Sequence, residues 1–503
     1  MLSLYDLLKK SDADLTFEDV LLAPQYSEIL PRDANIQTRI AGDIELKIPV
    51  ISAAMDKITE APMATALALE GGLGIIHALF TIEEQAAEVR KVKRFQAGFL
   101  LNPYTVSPDT SIRDLVALTK QYNIGTFPVT EDGNSHGKLV GMITKRDYSK
   151  EKHIDLKVKD RMTPFEGLLT ATGEITLEEA NEILIEKRRG KLLIMDKDKN
   201  LHSMVTRTDI DKNSEYPSAS KDNCKRLRVG AAVSPVDPNL DKRIQALIEE
   251  GVDIIDVESA HGHSKAVGDA VAHIKREYGI SIMAGNICTE NGLEYLRAKG
   301  ADAVKIGVGP GSTCKTRIVG GVGRPQLTAI AKCAEYLDNS KYTDVYLIAD
   351  GGFVPDYLSH IGKSIAAGAH AIMSGRLFAG TTETPGDIVD YGGSKWKVYR
   401  GMGSKNARIK AKNIFVDRYM PNLTGKTSVE EGKEGVVPFV GPVKNAIEDV
   451  KGSLTLTMGY LGIVNMAELR KLRYLDCWSR STEAGKKESS PHDLYDLPAD
   501  IRR

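Results

Sequence analysis

The chain has 503 residues, so a domain of about 250 or more joined to a second unit is the expectation. Hydrophobic residues make up 42% and charged residues 27%, an ordinary globular mix that excludes wholesale disorder. With 67 basic and 68 acidic side chains the formal charge is -1, and no global basic field draws the chain to nucleic acid or to an anionic membrane.

The cysteines, Cys224, Cys288, Cys314, Cys333 and Cys477, are few, odd in number and without C-x-x-C spacing. That pattern excludes a disulfide framework or a zinc site and points to a reducing compartment. The opening MLSLYDLLKKSDADLTF has no basic-then-apolar signal pattern, and no apolar run is long enough for a membrane span. A soluble, cytoplasmic protein is expected.

Taken in chain order, short β-branched runs recur with helical patterns between them. Strands are predicted near residues 48–54 (IPVISAA), 72–77, 228–233, 253–258 (DIIDVE), 281–285, 303–307, 345–349 and 371–375. Segments such as 82–94 and 239–250 place apolar residues at helical spacing. Eight such units predict an α/β fold, a (β/α)8 barrel, with a doubly wound open sheet as the alternative.

The gap between the second and third strands holds an internal repeat. KLVGMITKRDY (138–148) is echoed by NLHSMVTRTDI (200–210), each after an amphipathic helix and a β-run. Two copies of about 60 residues read as a paired module inserted into a barrel loop, since a solenoid needs at least three repeats. The expected division is a barrel over 1–99 and 221–503, with the insert at 100–220 (copies near 100–152 and 158–216). Residues 400–440, rich in Gly, Lys and Glu, show poor periodicity and read as a mobile flap or a disordered segment.

The strongest chemical signal is GVGPGSTCKTR, 307–317, at the end of the predicted sixth strand, where barrel active sites are built. Its glycines let backbone N–H groups turn toward a ligand. Cys314 sits beside Lys315 and Arg317, whose charges favour a thiolate and hence a covalent nucleophile. The alternative is an inert cysteine in a glycine loop. Glycine turns also follow the seventh strand (ADGGF, 349–353) and the eighth (MSGRLF, 373–378). With Ser312 and Arg376 they suit a substrate phosphate, and Asp350 suits ribose hydroxyls. In SAHGHS (259–264), His261 and His263 lack a third metal ligand at the expected spacing, so a loop contacting a cofactor is the better reading.

The loop GPGSTCKTRIVGGVGRPQ, the DGG turn, YRGMGS (399–404) and the opening LTFEDVLL…SAAMDKITE resemble the IMP dehydrogenase / GMP reductase family over essentially the whole chain. The repeats resemble a tandem pair of cystathionine-β-synthase-type (CBS) domains. DRY (417–419), EEG (430–432) and VVPFVGP (436–442) resemble the flap of the dehydrogenases and not that of the reductases.

The resemblance implies oxidation of IMP to XMP with reduction of NAD, the committed step of guanine nucleotide synthesis. Cys314 would carry a covalent thioimidate, and Arg418 with Tyr419, or a route through Thr316 and Glu431, would activate water for its hydrolysis. It further implies substrate contacts at Met55, Ser312, Asp350, Gly351, Gly352, Gly375, Arg376, Tyr399, Gly401, Met402, Gly403 and Glu434. NAD contacts are implied at Glu258, Ser259, Asn286, Gly307 and Gly309. Potassium is implied at the backbone carbonyls of Gly309, Gly311 and Cys314, and ATP or GTP at Thr144, Asp147, Thr206 and Asp209. A homotetramer is implied, with the octamer open. Glu258 departs from the family's usual aspartate. GMP reductase and a purine-sensing scaffold without turnover are the alternative readings.

Overall fold

The computed structural model describes residues 1–95, 99–100, 103–122, 124–173, 175–223, 225–413 and 429–488. The chain divides into two compact units. One comprises Met1–Lys93, Ser218–Ser220 and Arg228–Arg503, and the other Arg94–Pro217 with Lys221–Leu227. The insert therefore leaves the barrel earlier than 100, and Ser218–Ser220 return to it. The Ser220 N–H donates to Ala68 O (2.8 Å) and its carbonyl accepts from Arg228 N–H (2.9 Å), which sews that short stretch to the barrel.

The larger unit is a closed barrel of eight parallel strands. These are β1 (Val50–Ser52), β2 (Leu73–Ile76), β3 (Gly230–Val233), β4 (Ile254–Glu258), β5 (Ser281–Ile287), β6 (Ala303–Ile306), β7 (Tyr346–Asp350) and β8 (Ala371–Ser374). Closure comes from β8 pairing with β1, Ile372 opposite Val50 and Ser374 opposite Ser52. Helices cover the outer face and side chains fill the inner one. The strands are therefore largely apolar on both faces and not alternating, Asp256 on β4 and Lys305 on β6 being buried exceptions. Ile51, Leu73, Ile75, Ala232, Met283, Ile348 and Met373 meet in the interior.

A hairpin, Thr38–Ala41 with Ile44–Leu46, adds Ile40, Ala41, Ile44 and Leu46 to that interior cluster. The sequence pattern does not reveal it, because its strands are three to four residues long and carry the exposed Arg39–Glu45 ion pair.

The covering helices follow their apolar spacing. In Lys265–Tyr278, Val267, Ala270, Val271 and Ile274 are buried at i, i+3, i+4 and i+7. Gly279 ends this helix in the left-handed region (φ 61°), its N–H capping Lys275 O. A buried polar knot fixes another helix. Arg243, within Leu240–Glu249, binds Asp237 (2.6 Å), Gln85 Oε1 (2.9 Å) and Phe80 O (3.2 Å), while Gln85 Nε2 donates to Ala232 O on β3 (2.8 Å). Removing the guanidinium strands Asp237 in the interior. Arg243→Leu is expected to cost about 3–5 kcal/mol and to lower the melting temperature in calorimetry, with Arg243→Lys intermediate.

Two corrections concern the stretch at 400–440. Lys405–Asn413 is helical, with Ala407 and Ala411 packed one turn apart on Leu79 and Met402. Glu434–Pro438 is a strand of a three-stranded sheet with Ile388–Tyr391 and Ser394–Arg400. Only Val437 of that strand is buried, so its sequence carries no alternation to read. Arg418 and Tyr419 lie outside the described residues.

The smaller unit holds two three-stranded sheets, each with its own apolar cluster. Leu139–Thr144 and Leu201–Thr206 are equivalent strands, reproducing the repeat seen in the sequence. Both copies end alike. Asp147 Oδ2 accepts from Thr144 N–H (2.6 Å) and hydroxyl (2.9 Å), and Asp209 Oδ2 accepts from Thr206 N–H (2.9 Å) and hydroxyl (2.7 Å). Among the described residues, no helix is long and apolar enough to cross a membrane.

Candidate active site

A cavity opens at the C-terminal ends of the barrel strands. Its wall gathers Met55 after β1, Glu258 and Ser259 at the end of β4, Asn286 on β5, and Gly307–Cys314 with Thr316 after β6. Asp350–Phe353 follow from β7, Gly375 and Arg376 from β8, and Tyr399, Gly401–Gly403, Glu431 and Gly432 from the sheet region beyond.

The loop after β6 is shaped by its glycines. Gly307 has φ 151°, and a Cβ there would lie 2.0 Å from Asp350 O. Gly309 has φ 86°, and its missing Cβ makes room for the Arg317 side chain. Arg317 Nε donates to Val308 O (3.0 Å) and its guanidinium also reaches Arg324 O, so this cation holds the loop's backbone. The Cys314 N–H donates to Gly311 O (2.9 Å), closing the turn that presents the thiol.

Three groups then fall in line. Cys314 Sγ donates to Thr316 Oγ1 (3.2 Å), which donates to Glu431 Oε2 (3.0 Å). Glu431 is held on both sides of its own backbone, its N–H on Gly403 O (3.2 Å) and its carbonyl accepting from Lys315 N–H (2.8 Å). Lys433 N–H on Thr313 O (2.8 Å) adds a further stitch. Gly432 passes so close to Ser404 that a Cβ would sit 2.7 Å from its backbone nitrogen.

Opposite lies a cradle of backbone and hydroxyl donors. Gly351 and Gly352 both have positive φ (86° and 89°). The Gly351 N–H donates to Met373 O (3.1 Å), so the backbone donor this turn offers an anion is the Gly352 N–H. A Cβ on Gly375 would lie 2.9 Å from Tyr399 Oη and 2.7 Å from Met55 Sδ, so only glycine lets that phenol approach. Burial pushes the Tyr399 hydroxyl up to about 12, against the opposing influence of a Thr313 hydrogen bond and the Arg376 charge, and keeps it a proton donor.

Asp350 is fixed twice: its carboxylate accepts from Asn286 Nδ2 (2.8 Å) and its carbonyl from Gln326 Nε2 (3.1 Å). Asn286 Nδ2 also donates to Gly307 O (2.9 Å). Among the expected contacts Glu434 stands apart. It does not line the cavity, since Asn406 Nδ2 (2.7 Å) and Arg400 Nη1 (3.5 Å) take its carboxylate at the rim.

Several residues escaped the sequence reading. Gln326 ties the ends of β6 and β7 through Ile306 O (2.7 Å) and Asp350 O. His360 Nδ1 donates to Gly352 O (3.0 Å), its other nitrogen facing Glu18 at 3.5 Å. Arg400 pairs with the buried Asp56. Each is a long-range partnership that local spacing cannot announce.

A thiol, a hydroxyl and a carboxylate gathered at the mouth of eight parallel strands define a (β/α)8-barrel enzyme. The chain belongs to the IMP dehydrogenase / GMP reductase family, whose domain model matches residues 14–492. It is 45% identical to the inosine-5'-monophosphate dehydrogenase of Aquifex aeolicus over 490 residues, 97% of this chain and 96% of that protein. With the enzyme of the same name from Bacillus subtilis it shares 43% over 487 residues, 97% of each. A crystal structure of GMP reductase from Trypanosoma brucei in complex with guanosine 5'-monophosphate superposes with TM-score 0.83 at 34% identity. That match covers 97% of this chain and 100% of the other.

Proposed function

We propose that this barrel is an IMP dehydrogenase: it oxidises IMP to XMP with reduction of NAD, through a covalent intermediate on Cys314. The observation that carries the reading is the Cys314–Thr316–Glu431 line beside a glycine-built cradle. Full-length kinship with dehydrogenases at 43–45% identity supports it.

Cys314 Sγ forms a bond to carbon 2 of the purine ring, and its proton leaves through Thr316 to Glu431. NAD supplies the acceptor for the hydride lost from that carbon. The resulting thioimidate is attacked by water. The carbon–sulfur bond then breaks to release XMP, and the thiol regains a proton. Glu431 releases the thiol's proton to solvent, then takes the water's proton through Thr316 and returns it to the departing thiolate. Arg418 and Tyr419 are assigned to the same task on the family likeness. The two steps make opposite demands on one pocket, since hydride transfer requires water excluded and hydrolysis requires it placed.

The phosphate rests on Ser312, Gly351, Gly352 and Gly375 with Tyr399 and Arg376, the ribose on Asp350, and the base on Met55 and Gly401–Gly403. NAD fits the other wall. There Gly307 and Gly309 line the cavity, Ser259 and Asn286 offer polar groups, and the Glu258 carboxylate can accept from ribose hydroxyls. Potassium is assigned to the carbonyls of Gly309, Gly311 and Cys314. An oxygen-only set suits a hard cation, and the Gly311 carbonyl keeps a second lone pair beside its bond from Cys314 N–H.

In the smaller unit, read as a CBS pair, Thr144 with Asp147 and Thr206 with Asp209 place hydroxyl and carboxylate at strand ends, a pattern suited to the ribose of ATP or GTP. A cytoplasmic homotetramer completes the reading. The test is absorbance of reduced nicotinamide with IMP plus NAD, and separately with GMP plus NADPH. Turnover in the first mixture is expected, and turnover confined to the second assigns the chain to the reductases.

A further inference from the structure

Beneath the cavity floor the barrel interior carries charge. Lys305 on β6 and Asp256 on β4 are both fully buried, and Lys305 Nζ bonds Asp256 Oδ2 at 2.8 Å. Asp256 Oδ1 has no hydrogen-bond partner among the described residues. Glu258 follows Asp256 by two residues, which places it on the same inward face one level higher, where it lines the cavity.

The register makes the arrangement specific. Glu258 and Lys305 both stand opposite Gly285 of the intervening β5. Gly285 has no side chain to separate them, and a Cβ there would meet Lys305 Cβ at 2.7 Å. Lys305 thus has two carboxylates of one strand within its electrostatic reach, and Asp350 of β7 as a third. The other strands line the barrel interior with apolar or small side chains, among them Ala53, Ile75, Ala232, Met283, Ile348 and Met373. His77, past the end of β2, is engaged with Glu60 and Leu79.

We propose that Asp256 is a positioning residue for the NAD side of the cavity: by holding the Lys305 ammonium, it keeps that charge from drawing the Glu258 carboxylate down into the barrel. The inference rests on the assignment of that wall to NAD. A buried ammonium requires a counter-charge. While Asp256 is ionised, it supplies one at hydrogen-bond distance. Once Asp256 is neutral, the next carboxylate on the same strand is Glu258. Burial pushes the Asp256 carboxyl up to about 6, with Lys305 opposing and Glu258 and Asp350 adding to the rise. On the opposite partner, burial works against the Lys305 charge, but Asp256, Glu258 and Asp350 together hold its pKa above the usual lysine value. As the pH falls the proton therefore goes to Asp256, the ammonium persists, and Glu258 is the group recruited.

The test is calorimetric titration of NAD into the full-length protein at about pH 8 and about pH 5.5, alongside KM for NAD and for IMP. Wild type is expected to bind NAD about tenfold more weakly at the lower pH, the scale of one lost hydrogen bond to a charged group. Asp256→Asn is expected to show the weaker binding at both pH values and KM for NAD raised about tenfold, with KM for IMP little changed.

The double variant Asp256→Asn/Lys305→Met removes the ammonium as well, so NAD binding is expected to recover at both pH values. An Asp256→Asn protein that binds NAD like wild type with the same pH profile overturns the proposal. So does one that loses IMP and NAD affinity equally, or a double variant that recovers nothing. Wild type that binds no NAD at either pH contradicts the assignment of the wall itself, a result distinct from all of these.

Discussion

Cys314→Ser is expected to lower kcat by at least about 1,000-fold while leaving IMP binding nearly intact. Serine keeps the shape of the loop and can still donate to Thr316 Oγ1, where Cys314 Sγ now stands at 3.2 Å. Its hydroxyl remains protonated at neutral pH and is a poor nucleophile toward a ring carbon. The cradle formed by Gly351, Gly352, Gly375 and Tyr399 is untouched, so binding energy for the nucleotide persists. Turnover falls and affinity stays, a split that a merely structural cysteine would not produce. Steady-state kinetics beside IMP calorimetry reads it. Loss of affinity in proportion to kcat, or unchanged turnover, contradicts the assignment of the nucleophile.

Gly307→Ala is expected to disable the same site by another route. The residue sits at φ 151°, and the added Cβ would lie 2.0 Å from the backbone oxygen of Asp350. No rotamer relieves a contact between backbone atoms. Either the loop bearing Cys314 lifts off β7, or the Asp350 carbonyl leaves its bond to Gln326. A cost of about 3 kcal/mol or more follows from the strained backbone and the overlap together. The expected readout is a fall of several degrees in melting temperature with activity lost beyond what unfolding explains. Gly452→Ala is the matched control. It lies within the helix Val443–Leu461 with open space around its missing Cβ, and is expected to gain about 1 kcal/mol. Equal behaviour of the two variants refutes the packing argument.

The contrast between those glycines shows what the sequence could and could not convey. The eight barrel strands are legible because buried parallel strands need mostly apolar residues on both faces, and runs such as Leu73–Ile76 stand out from the helical patterns around them. The repeat is legible because the second copy reproduces the strand and the threonine–aspartate turn of the first. The hairpin at Thr38–Leu46 and the sheet around Ser394–Arg400 are not. The hairpin strands are three to four residues long, and the strand at Glu434–Pro438 that pairs with Ser394–Arg400 is mostly exposed and distant in the chain.

The site divides in the same way. The loop at 307–317 and the DGG turn announce themselves, since glycine clusters at strand ends have a local cause. The Thr316–Glu431 bond spans 115 residues and the Lys305–Asp256 pair spans 49, so no spacing rule joins them. Glu258 could be read as a departure from its family. Its tie to Asp256 and Lys305 emerges only from the register of β4, β5 and β6. The overlay with a GMP reductase complex at TM-score 0.83 adds a further limit, because backbone shape does not distinguish the two activities of this family.

The central claim is covalent catalysis at Cys314, and intact-protein mass spectrometry with peptide mapping tests it most directly. After rapid acid quench of the protein mixed with IMP and NAD, the account predicts an added nucleotide mass located on the peptide containing Cys314. That adduct is expected to need both reactants and to be absent from Cys314→Ser. An adduct-free protein that nonetheless converts IMP and NAD to products, or a nucleotide found on Cys288, would contradict it.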